Sequence, residues 1–356
     1  MYTELLSKIC RQLCLGDITH PPLPLKGGYL HKMYSLHTQT GGYAVKLLNP
    51  YIMQRPEAQE NYRTAEELEA KLEKRGIPIL PALTFGGRKM QETDGQYFYL
   101  FELYDGRPLA DGEIKAVHCE RIGRVLADIH NTDRRIEDSC PDEMSIDWDG
   151  YISKLMTQNT GLCRLLRENR TLLYENMEAR NEAVKNLPAV KAVCHNDMDS
   201  KNVLWKGCEC RIIDLECLSF SDPVMEAYEL AMCWSGYESC SIDFELFHTF
   251  LSSYTEAGGK LAADPVTLYN SCHGRLEWLE YNVRRSLGIE CPENELPEAE
   301  KQVRETMEHI LYYHETENNL LNCLGEHCTA RQEKGKYENR RYDQGAACRK
   351  KHTEKI

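Results

Sequence analysis

The period of the apolar pattern changes near residue 105, and this change restricts the fold more than any other feature of the chain. Up to that point apolar and polar residues alternate, as in PPLPLKGGYLHKMYSLHTQTGGYAVKLL, with glycine pairs at 27–28 and 41–42. Such alternation between turn residues is typical of successive antiparallel strands. Residues 57–75 are an exception and predict a charged amphipathic helix.

Further strands are predicted around 79–86 and 95–104, and the turn DGRP at 105–108 follows them. Beyond this turn the apolar spacing becomes mostly helical. The exception is a pair of short apolar runs, VLW and RIIDL, which predict a β-hairpin. A β-rich part followed by a helix-rich part indicates the α+β class. The predicted helices cover 121–130, 151–186, 225–234, 242–257, 266–287 and 297–323.

The length of 356 residues exceeds what one compact core usually holds, so two lobes of unequal size are expected. We predict a β-rich N-terminal lobe at 1–104, a helical C-terminal lobe at 105–330 and a tail at 331–356. The tail has nine basic and four acidic residues and little apolar content, so we predict that it is basic and disordered.

The acidic composition argues against nucleic acid as a partner. There are 56 Asp and Glu residues against 43 Lys and Arg, and the net charge is −13. Such a surface repels a phosphate backbone and favours cationic or metal-chelated ligands. No apolar run is long enough to span a bilayer, so no membrane contact is expected. The 16 cysteines lack zinc-site spacing and the chain has no secretory start, so we expect reduced thiols in the cytoplasm.

One stretch carries polar groups that need a partner. VCHNDMDSKNVLW at 193–205 and RIIDLE at 211–216 place Asp197, Asn202 and Asp214 beside apolar runs. Burying such groups alone is costly, and a bound cation could supply the partner. Asp197 and Asn202 have the spacing of a kinase catalytic loop, in which the carboxylate accepts a hydroxyl proton and the amide reaches a metal. Asp214, after an apolar pair, stands where a second metal-binding carboxylate is expected.

A lysine for the nucleotide phosphates is predicted in the first lobe. Lys46 in GGYAVKLL lies on a predicted strand, which is the usual place for such a lysine. Glu66 on the following helix could pair with Lys46 and fix its rotamer. Glu67 is an equal alternative, because helix registry read from a sequence is uncertain by a residue or more.

Taken in order, these segments resemble the phosphotransferase family that contains aminoglycoside phosphotransferases and choline kinases. The resemblance runs from about Gly27 to about Trp234. That family has the protein-kinase fold, so the resemblance implies a two-lobed protein-kinase-like structure with a nucleotide-binding first lobe and a catalytic, substrate-binding second lobe. The segments are GGYLHKMYSL, YAVK, RGIPILP, YLFELYDGRPL, IGRVLADIH, HNDMDSKNVLW, IIDLE and DPVMEAYELAMCW.

The resemblance implies a role for each candidate. Asp197 would be the catalytic base, Asn202 and Asp214 would bind Mg²⁺, and Lys46 would contact the α- and β-phosphates of ATP. His195 would brace the loop by hydrogen bonding without taking part in the chemistry. GTP remains open as an alternative to ATP, since the contacts that a hinge makes to the base come mostly from its backbone.

The remaining nucleotide contacts are implied for a loop and a hinge. The loop reads GGYLHKMY and begins with Gly27 and Gly28; it lacks GxGxxG, so its glycines would cover less of the phosphates. His31 stands in this loop where the family often has a small polar residue. The adenine-binding hinge would be the backbone of Phe101, Glu102 and Leu103.

Two departures favour a small-molecule kinase over a protein kinase. The metal carboxylate is followed by LE rather than FG, and Pro223 leads directly into a helix without an APE-type segment. Asp199 is an additional carboxylate in the catalytic loop. It could contact a metal or the substrate, or it could only form a local turn or face solvent.

We therefore expect an ATP-dependent kinase that phosphorylates a hydroxyl group of a small molecule. By family and acidity, the expected acceptor is an aminoglycoside-like or other cationic antibiotic, which would imply a role in antibiotic resistance. Choline, another amino alcohol or a sugar remains an alternative, because the fold does not fix the substrate. A non-catalytic scaffold, as in spore-coat relatives of the family, is an alternative of a different class.

Acceptor contacts are expected from the helical lobe, especially 234–323. Four aromatic residues there could form a face for a quaternary ammonium, or they could simply be core. Three nearby glutamates could attract a cation or could belong to a solvated helix face. The aromatic residues are Trp234, Tyr237, Trp278 and Tyr281, and the glutamates are Glu238, Glu277 and Glu280.

Overall fold

The computed structural model of the protein describes residues 2–25, 30–110, 112–137, 143–273 and 275–325. Gly27, Gly28 and the tail predicted at 331–356 lie outside the described residues. Within the described ranges, every helix is too short or too polar to cross a membrane.

A five-stranded antiparallel sheet forms the N-terminal part, in the order β1-β2-β3-β5-β4. Met33 lies opposite Lys46, and Lys46 lies opposite Tyr99 on the next strand. Lys46 therefore occupies the middle of the sheet. The strands are β1 (Leu23–Pro24), β2 (Lys32–His37), β3 (Gly42–Leu47), β4 (Gln91–Thr93) and β5 (Gln96–Glu102).

Five further strands form a small three-stranded sheet and a hairpin. The sheet has the order β10-β7-β6, and the hairpin joins β8 to β9, with Val203 opposite Ile212. The predicted hairpin of VLW and RIIDL is therefore confirmed, whereas the three-stranded sheet was not predicted. The strands are β6 (Arg134–Ile136), β7 (Val190–Cys194), β8 (Val203–Lys206), β9 (Glu209–Ile212) and β10 (Ser219–Ser221).

Most of the helices lie in the C-terminal part of the chain. They are α1 (Tyr2–Gln12), α2 (Pro50–Met53), α3 (Ala58–Lys74), α4 (Ala116–His130), α5 (Trp148–Gln158), α6 (Thr160–Glu168), α7 (Arg170–Val184), α8 (Pro223–Cys233), α9 (Phe244–Glu256), α10 (Pro265–Ser271), α11 (Arg275–Ser286) and α12 (Leu296–Glu315). The expected α+β class, with an antiparallel sheet first and helices later, is confirmed.

The two faces of the five-stranded sheet are covered by different helices. Because side chains alternate along a strand, Val45 and Leu47 point to one face and pack with α1 through Leu6 and Ile9. The opposite face carries Leu48 and Tyr99, which pack against Tyr62 of α3. Lys46 has the same parity as Leu48, so its side chain extends toward the α3 face. This alternation determines which partners Lys46 can reach.

The described residues divide into two compact units. One contains those within Met1–Ile136, Val190–Glu226 and Ala257–Gly259, and the other contains those within Glu137–Ala189, Ala227–Glu256 and Lys260–Ile356. This grouping follows contacts rather than chain order, and the lobe boundary after residue 104 stays a prediction. In the second unit a core of α5, α6, α7, α11 and α12 includes Trp148, Leu279 and Met307. Every residue predicted for catalysis, nucleotide contact or metal binding within the described ranges lies in the first unit.

Some predicted elements differ from the observed ones. The strand predicted around 79–86 is wrong: Ile79 and Phe85 make only isolated bridges, and Pro81 has no N–H to donate to a ladder. The long helix predicted at 151–186 is three helices. One of its breaks falls at Asn159, whose side chain accepts a hydrogen bond from Leu162 N–H and so caps α6. The helix predicted at 266–287 is likewise two helices, α10 and α11.

Candidate active site

The candidate catalytic loop begins directly after β7 and is braced by His195. The Nδ1 atom of His195 accepts a hydrogen bond from the Asp197 N–H at 3.3 Å, so the ring proton lies on Nε2, which donates to the Ile213 carbonyl at 3.1 Å. The ring is completely buried. His195 thus joins the loop to the end of β9 in the bracing role that the resemblance implies.

Asn196 gives the loop its turn through a left-handed backbone conformation with φ 63°. Asparagine is one of the few residues other than glycine that adopt this region readily. Its side-chain amide donates to the Cys217 carbonyl at 2.7 Å and to Ser219 Oγ at 3.0 Å, and its amide oxygen accepts from Ser221 Oγ at 2.6 Å. These bonds join the loop to β10 and to the turn before it. Sequence reasoning assigned no role to Asn196.

A buried histidine and glutamate hold the loop from the side of α4 and α8. His130 Nε2 lies 2.7 Å from Glu226 Oε2, and Glu226 Oε1 accepts the Asn196 N–H. Burial opposes ionisation of Glu226, but the hydrogen bond and charge of His130 outweigh it, and the pKa of Glu226 is lowered. Cys194 Sγ lies 3.7 Å from His130 Nε2, and burial raises the pKa of this thiol.

These three residues could be taken for a metal site, because one ligand atom of each lies within 4.8 Å of the others. However, His130 Nε2 is already engaged with Glu226 Oε2 at 2.7 Å. Both oxygens of Glu226 already accept hydrogen bonds. We therefore assign the group a structural role, which is to fix the backbone before Asp197.

Asp197 and Asn202 meet within the loop as their spacing predicts. Asn202 Nδ2 donates to Asp197 Oδ2 and to the Asp197 carbonyl oxygen, both at 2.8 Å. The amide oxygen is therefore the atom with which Asn202 would bind a cation. Asp199 begins the short 3₁₀ turn Ser200–Asn202, where it accepts from the Lys201 N–H at 3.1 Å.

Lys201 lies between the two carboxylates of this loop. Its Nζ atom is 2.7 Å from Asp199 Oδ2 and 3.4 Å from Asp197 Oδ1. Burial is the main reason that the pKa of Asp197 rises to about 6; Lys201 lowers it, whereas Asp199 and Asp214 raise it. Asp197 is therefore a stronger base than an ordinary aspartate, which suits proton abstraction near neutral pH.

Asp214 follows β9 and is brought to the same place by the hairpin. The Ile213 N–H donates to the Asn202 carbonyl at 2.9 Å, which puts Asn202 beside the residue that precedes Asp214. Asp214 has φ 63°, a left-handed conformation that turns the chain out of the strand. The hairpin is fixed from two sides, because Ile212 pairs with residues 78–80 and Trp205 pairs with Arg107.

Lys46 reaches this corner from the centre of the sheet. Its side chain is 7% exposed and forms ion pairs with Asp214 and with Glu216, the latter at 2.5 Å. Burial disfavours the ammonium, but the charges of Asp214 and Glu216 outweigh it and raise the pKa of Lys46. The lysine is therefore charged and directed at the predicted metal carboxylate.

The predicted pairing of Lys46 with Glu66 is wrong for this structure. Glu66 Oε1 accepts from Tyr99 Oη at 2.8 Å and from the Met90 N–H at 3.1 Å, and Glu67 is exposed and lies 3.8 Å from Arg63. The reason is the rotation of α3, which directs Glu66 to the β4 side of the sheet. Glu216, to which sequence reasoning gave no role, takes the place beside Lys46.

Glu216 is also bound by His31. His31 Nε2 lies 2.9 Å from Glu216 Oε1, and His31 Nδ1 accepts the Asn49 N–H at 2.9 Å. Burial opposes ionisation of Glu216, but Lys46 and His31 outweigh it and lower its pKa to about 2. The Asp-x-Glu pattern and the unusual His31 were the available sequence signals for this contact.

The residues at this corner fit a divalent cation with bound nucleotide. Asn202 offers an amide oxygen and Asp214 a carboxylate, which are the hard donors that Mg²⁺ prefers. Negative charge is concentrated here, since both Asp199 and Asp214 raise the pKa of Asp197. A cation would relieve this repulsion, and Asn202 and Asp214 are the residues that would hold it.

The predicted hinge lies at the end of β5, and its three residues differ in what their backbone can offer. The Leu103 N–H donates to the Gly42 carbonyl at 3.0 Å, and Phe101 lies opposite Ala44 in the same ladder. Because backbone groups alternate along an antiparallel strand, the N–H and C=O of Glu102 point away from β3. Of the three residues, Glu102 is therefore the best candidate for backbone contact with a nucleotide base.

The predicted aromatic face is only partly retained in the second unit. Trp234 and Tyr237 are buried in the core, which is the second of the two alternatives that the sequence left open for these aromatic residues. Trp278 and Tyr281 are stacked at 5.4 Å between ring centroids and are half-buried. Two of the three nearby glutamates are engaged by protein groups: Glu238 pairs with Arg275, and Glu280 accepts from Tyr151 Oη at 2.7 Å.

Comparison with known proteins gives a family and a fold. A model of the phosphotransferase enzyme family matches residues 23–265. No curated protein matches the chain in sequence. The solved structures compared below share only 11–16% of their sequence with this chain, so the likeness to them shows the fold, which is the kinase-like fold that the sequence resemblance implies.

Three of these structures illustrate the range of similar proteins. A spectinomycin phosphotransferase in complex with ADP and spectinomycin has a TM-score of 0.63 at 16% identity, covering 87% of this chain and 98% of its own. An amicoumacin kinase in complex with AMP-PNP and Ca²⁺ has 0.55 at 11% identity, covering 87% and 96%. A choline/ethanolamine kinase family protein from Mesorhizobium loti has 0.54 at 16% identity, covering 92% and 100%.

Proposed function

Because the chain belongs to the phosphotransferase enzyme family, we propose that it is a kinase that transfers the γ-phosphoryl group of ATP to a hydroxyl group of a cationic small molecule. The observation that supports this most is the meeting of three distant segments. Lys46 from β3 pairs with Asp214 after β9, and Asn202 bonds to Asp197 in the loop after β7. Each of these residues has a distinct task in phosphoryl transfer.

The chemistry follows from the positions of these side chains. Asp197 accepts the proton of the acceptor hydroxyl while the oxygen of that hydroxyl forms a bond to the γ-phosphorus. The bond from the γ-phosphorus to the β,γ-bridging oxygen breaks, and ADP leaves. Lys46 neutralises charge on the non-transferred phosphates. A Mg²⁺ ion on Asn202 and Asp214 would supply charge neutralisation when bound. The pKa of Asp197, near 6, keeps the base ionised at neutral pH while leaving it able to take the proton.

The cationic acceptor is proposed from charge. The net charge of −13 favours positively charged ligands. Aminoglycoside-like or other cationic antibiotics come first, and a role in antibiotic resistance in the cytoplasm would follow. The similar structures include both a spectinomycin phosphotransferase and a choline/ethanolamine kinase family protein, so choline and ethanolamine are the next candidates.

An acceptor screen tests the proposal. ADP release from Mg·ATP is measured with aminoglycosides, spectinomycin, cyclic peptide antibiotics, choline, ethanolamine and neutral sugars. We expect release above the slow hydrolysis of ATP with at least one cationic acceptor, and loss of this stimulation in Asp197→Asn. Glu209→Gln, an exposed carboxylate on the same hairpin, is the matched control and should retain the activity.

Two results would contradict the proposal. Stimulation by neutral sugars alone would remove the cationic preference while leaving the kinase intact. Failure of Mg·ATP to stabilise the wild-type chain in thermal unfolding would favour a scaffold without turnover, because a ligand that binds the native state must raise its apparent stability.

A further inference from the structure

We propose that Glu216, oriented by His31, is the residue that positions Lys46 for the nucleotide, in place of a glutamate from helix α3. This inference rests on the proposed function, since it concerns the lysine that would contact the phosphates. It names two positioning residues, Glu216 and His31, that neither the family match nor the motif spacing assigns.

Lys46 needs a partner besides Asp214. In the structure Lys46 contacts both Asp214 and Glu216. A metal ion would compete with Lys46 for the oxygens of Asp214, because both are cations and require the same carboxylate. Once Asp214 turned to the metal, Glu216 would be the carboxylate that keeps Lys46 extended. Glu216 has the more protected side chain, at 14% exposure against 32% for Asp214.

The Glu216 side chain is itself held in one orientation. The backbone N–H of Asn49, just after β3, fixes His31 Nδ1 as an acceptor, so His31 Nε2 carries the proton and donates to Glu216 Oε1. The other oxygen, Oε2, faces Lys46 Nζ. The two oxygens of Glu216 therefore have separate tasks, one toward His31 and one toward Lys46.

Glu66, the glutamate of α3 that was predicted to pair with Lys46, has other partners in the structure. Glu66 accepts hydrogen bonds from Tyr99 Oη and the Met90 N–H. Glu69, a buried glutamate of the same helix, pairs with Lys89 at 2.6 Å. Both side chains fasten α3 to the segment before β4. Helix α3 is thereby held by contacts that do not involve Lys46. In this proposal Lys46 is positioned instead by Glu216, which follows β9.

A binding experiment on matched variants tests this assignment. Affinity for Mg·AMP-PNP is measured at saturating Mg²⁺ for wild type, Glu216→Gln, His31→Ala and Glu66→Gln. Glu216→Gln keeps an oxygen for His31 but removes the charge beside Lys46, so we expect roughly ten- to hundredfold weaker binding, the usual size for a charge-assisted hydrogen bond. His31→Ala should weaken binding less, because it frees Glu216 without removing it, and His31→Gln, which keeps a donor, should restore part of the loss.

The same change on helix α3 is the control. Glu66→Gln should alter the affinity by less than about threefold, because a neutral amide oxygen can still accept from Tyr99. Equal or greater weakening in Glu66→Gln would overturn the proposal. If Glu216→Gln does not fold by circular dichroism, Glu216→Asp, which keeps the charge on a shorter stem, replaces it and should also weaken binding.

A double-variant comparison separates positioning from direct metal binding. In a Lys46→Met background, Glu216→Gln should cause no further loss, since Glu216 acts through Lys46. A further loss of the same size as in wild type, or a raised Mg²⁺ requirement in the single variant, would assign Glu216 to the metal or to the fold and overturn the proposal. A wild-type chain that bound no Mg·AMP-PNP would refute the proposed function itself, and this assignment with it.

Discussion

The basicity of Asp197 is raised mainly by burial and is adjusted by charges within its own short loop. Burial raises its pKa, and two neighbours act in opposite directions: Lys201 lowers it and Asp199 raises it. Because these two side chains also pair with each other at 2.7 Å, each moderates the effect of the other. The additional carboxylate Asp199, for which the sequence left several roles open, thus holds the cation that lies beside the base.

This arrangement predicts the pH dependence of the reaction. The rate at saturating acceptor should fall below about pH 6, where Asp197 becomes protonated and can no longer accept a proton. Lys201→Met removes the charge that lowers the pKa, so the acid limb of the profile should move to higher pH. Asp199→Asn removes a charge that raises the pKa, so the limb should move to lower pH. Steady-state rates between pH 5 and 9 measure both shifts.

A surface lysine on strand β8, just after the catalytic loop, provides the control for these shifts of the acid limb. Lys206 is exposed and lies 3.1 Å from Asp105, away from the loop, so Lys206→Met should leave the acid limb where it is in wild type. If Lys201→Met and Asp199→Asn moved the limb in the same direction, or not at all, the limb would not report Asp197.

Individual site residues could be predicted to different extents. The approach of Asp197 to Asn202 follows from a five-residue spacing, which local geometry determines. The contact between His31 and Glu216 joins positions 185 residues apart in the sequence. Only the folded structure determines contacts between residues so far apart in the sequence. The predicted pairing of Glu66 with Lys46 was wrong for the same reason, because residue spacing does not determine which side of α3 faces Lys46.

Among the elements, the catalytic loop is short and depends on its neighbours for its shape. Asn196 holds a left-handed conformation and bonds to three points on or before β10, while Glu226 accepts its N–H. The catalytic loop between β7 and β8 therefore depends on asparagine at position 196, which tolerates φ 63° and also has a side-chain amide.

Substitutions of Asn196 should separate these two contributions. Asn196→Gly keeps the backbone conformation but loses the side-chain hydrogen bonds, at a cost of about 1 to 2 kcal/mol. Asn196→Ala loses the same bonds and adds the strain of a Cβ in the left-handed region, for a total of about 2 to 4 kcal/mol. Urea unfolding of the three proteins measures the order. An alanine variant as stable as the glycine variant would show that the backbone conformation imposes no constraint.

Two elements with a clear periodic pattern were predicted closely, whereas the longer patterns at 151–186 and 266–287 concealed helix breaks. Helix α3 and strand β5 were predicted within two residues of their observed ends. The three-residue strands β6 and β10 were missed, because three residues carry no measurable period and pair only in the fold. The segment 79–86 has apolar residues in the right number, but Pro81 interrupts its hydrogen bonding, and single bridges replace a strand.

At the scale of the whole molecule, the chain combines a family scaffold with an acidic composition. The kinase-like fold explains why Lys46, Asp197, Asn202 and Asp214 lie in one compact unit although they are up to 168 residues apart in sequence. The fold does not choose the acceptor. Acceptor choice is expected in the second unit, where sequence periodicity predicted helices but could not tell buried aromatic residues such as Trp234 from half-buried ones such as Trp278.

Calorimetric titration of the chain with AMP-PNP, with and without Mg²⁺, tests the central claim most directly. If Asn202 and Asp214 hold the metal that carries the nucleotide, binding should require Mg²⁺, and Asp214→Asn should weaken it at least tenfold, the loss expected for one charged ligand. Asp199→Asn is the matched control and should bind nearly as wild type does. Equal affinity with and without Mg²⁺, or unchanged binding by Asp214→Asn, would contradict the assignment of this corner as a metal–nucleotide site.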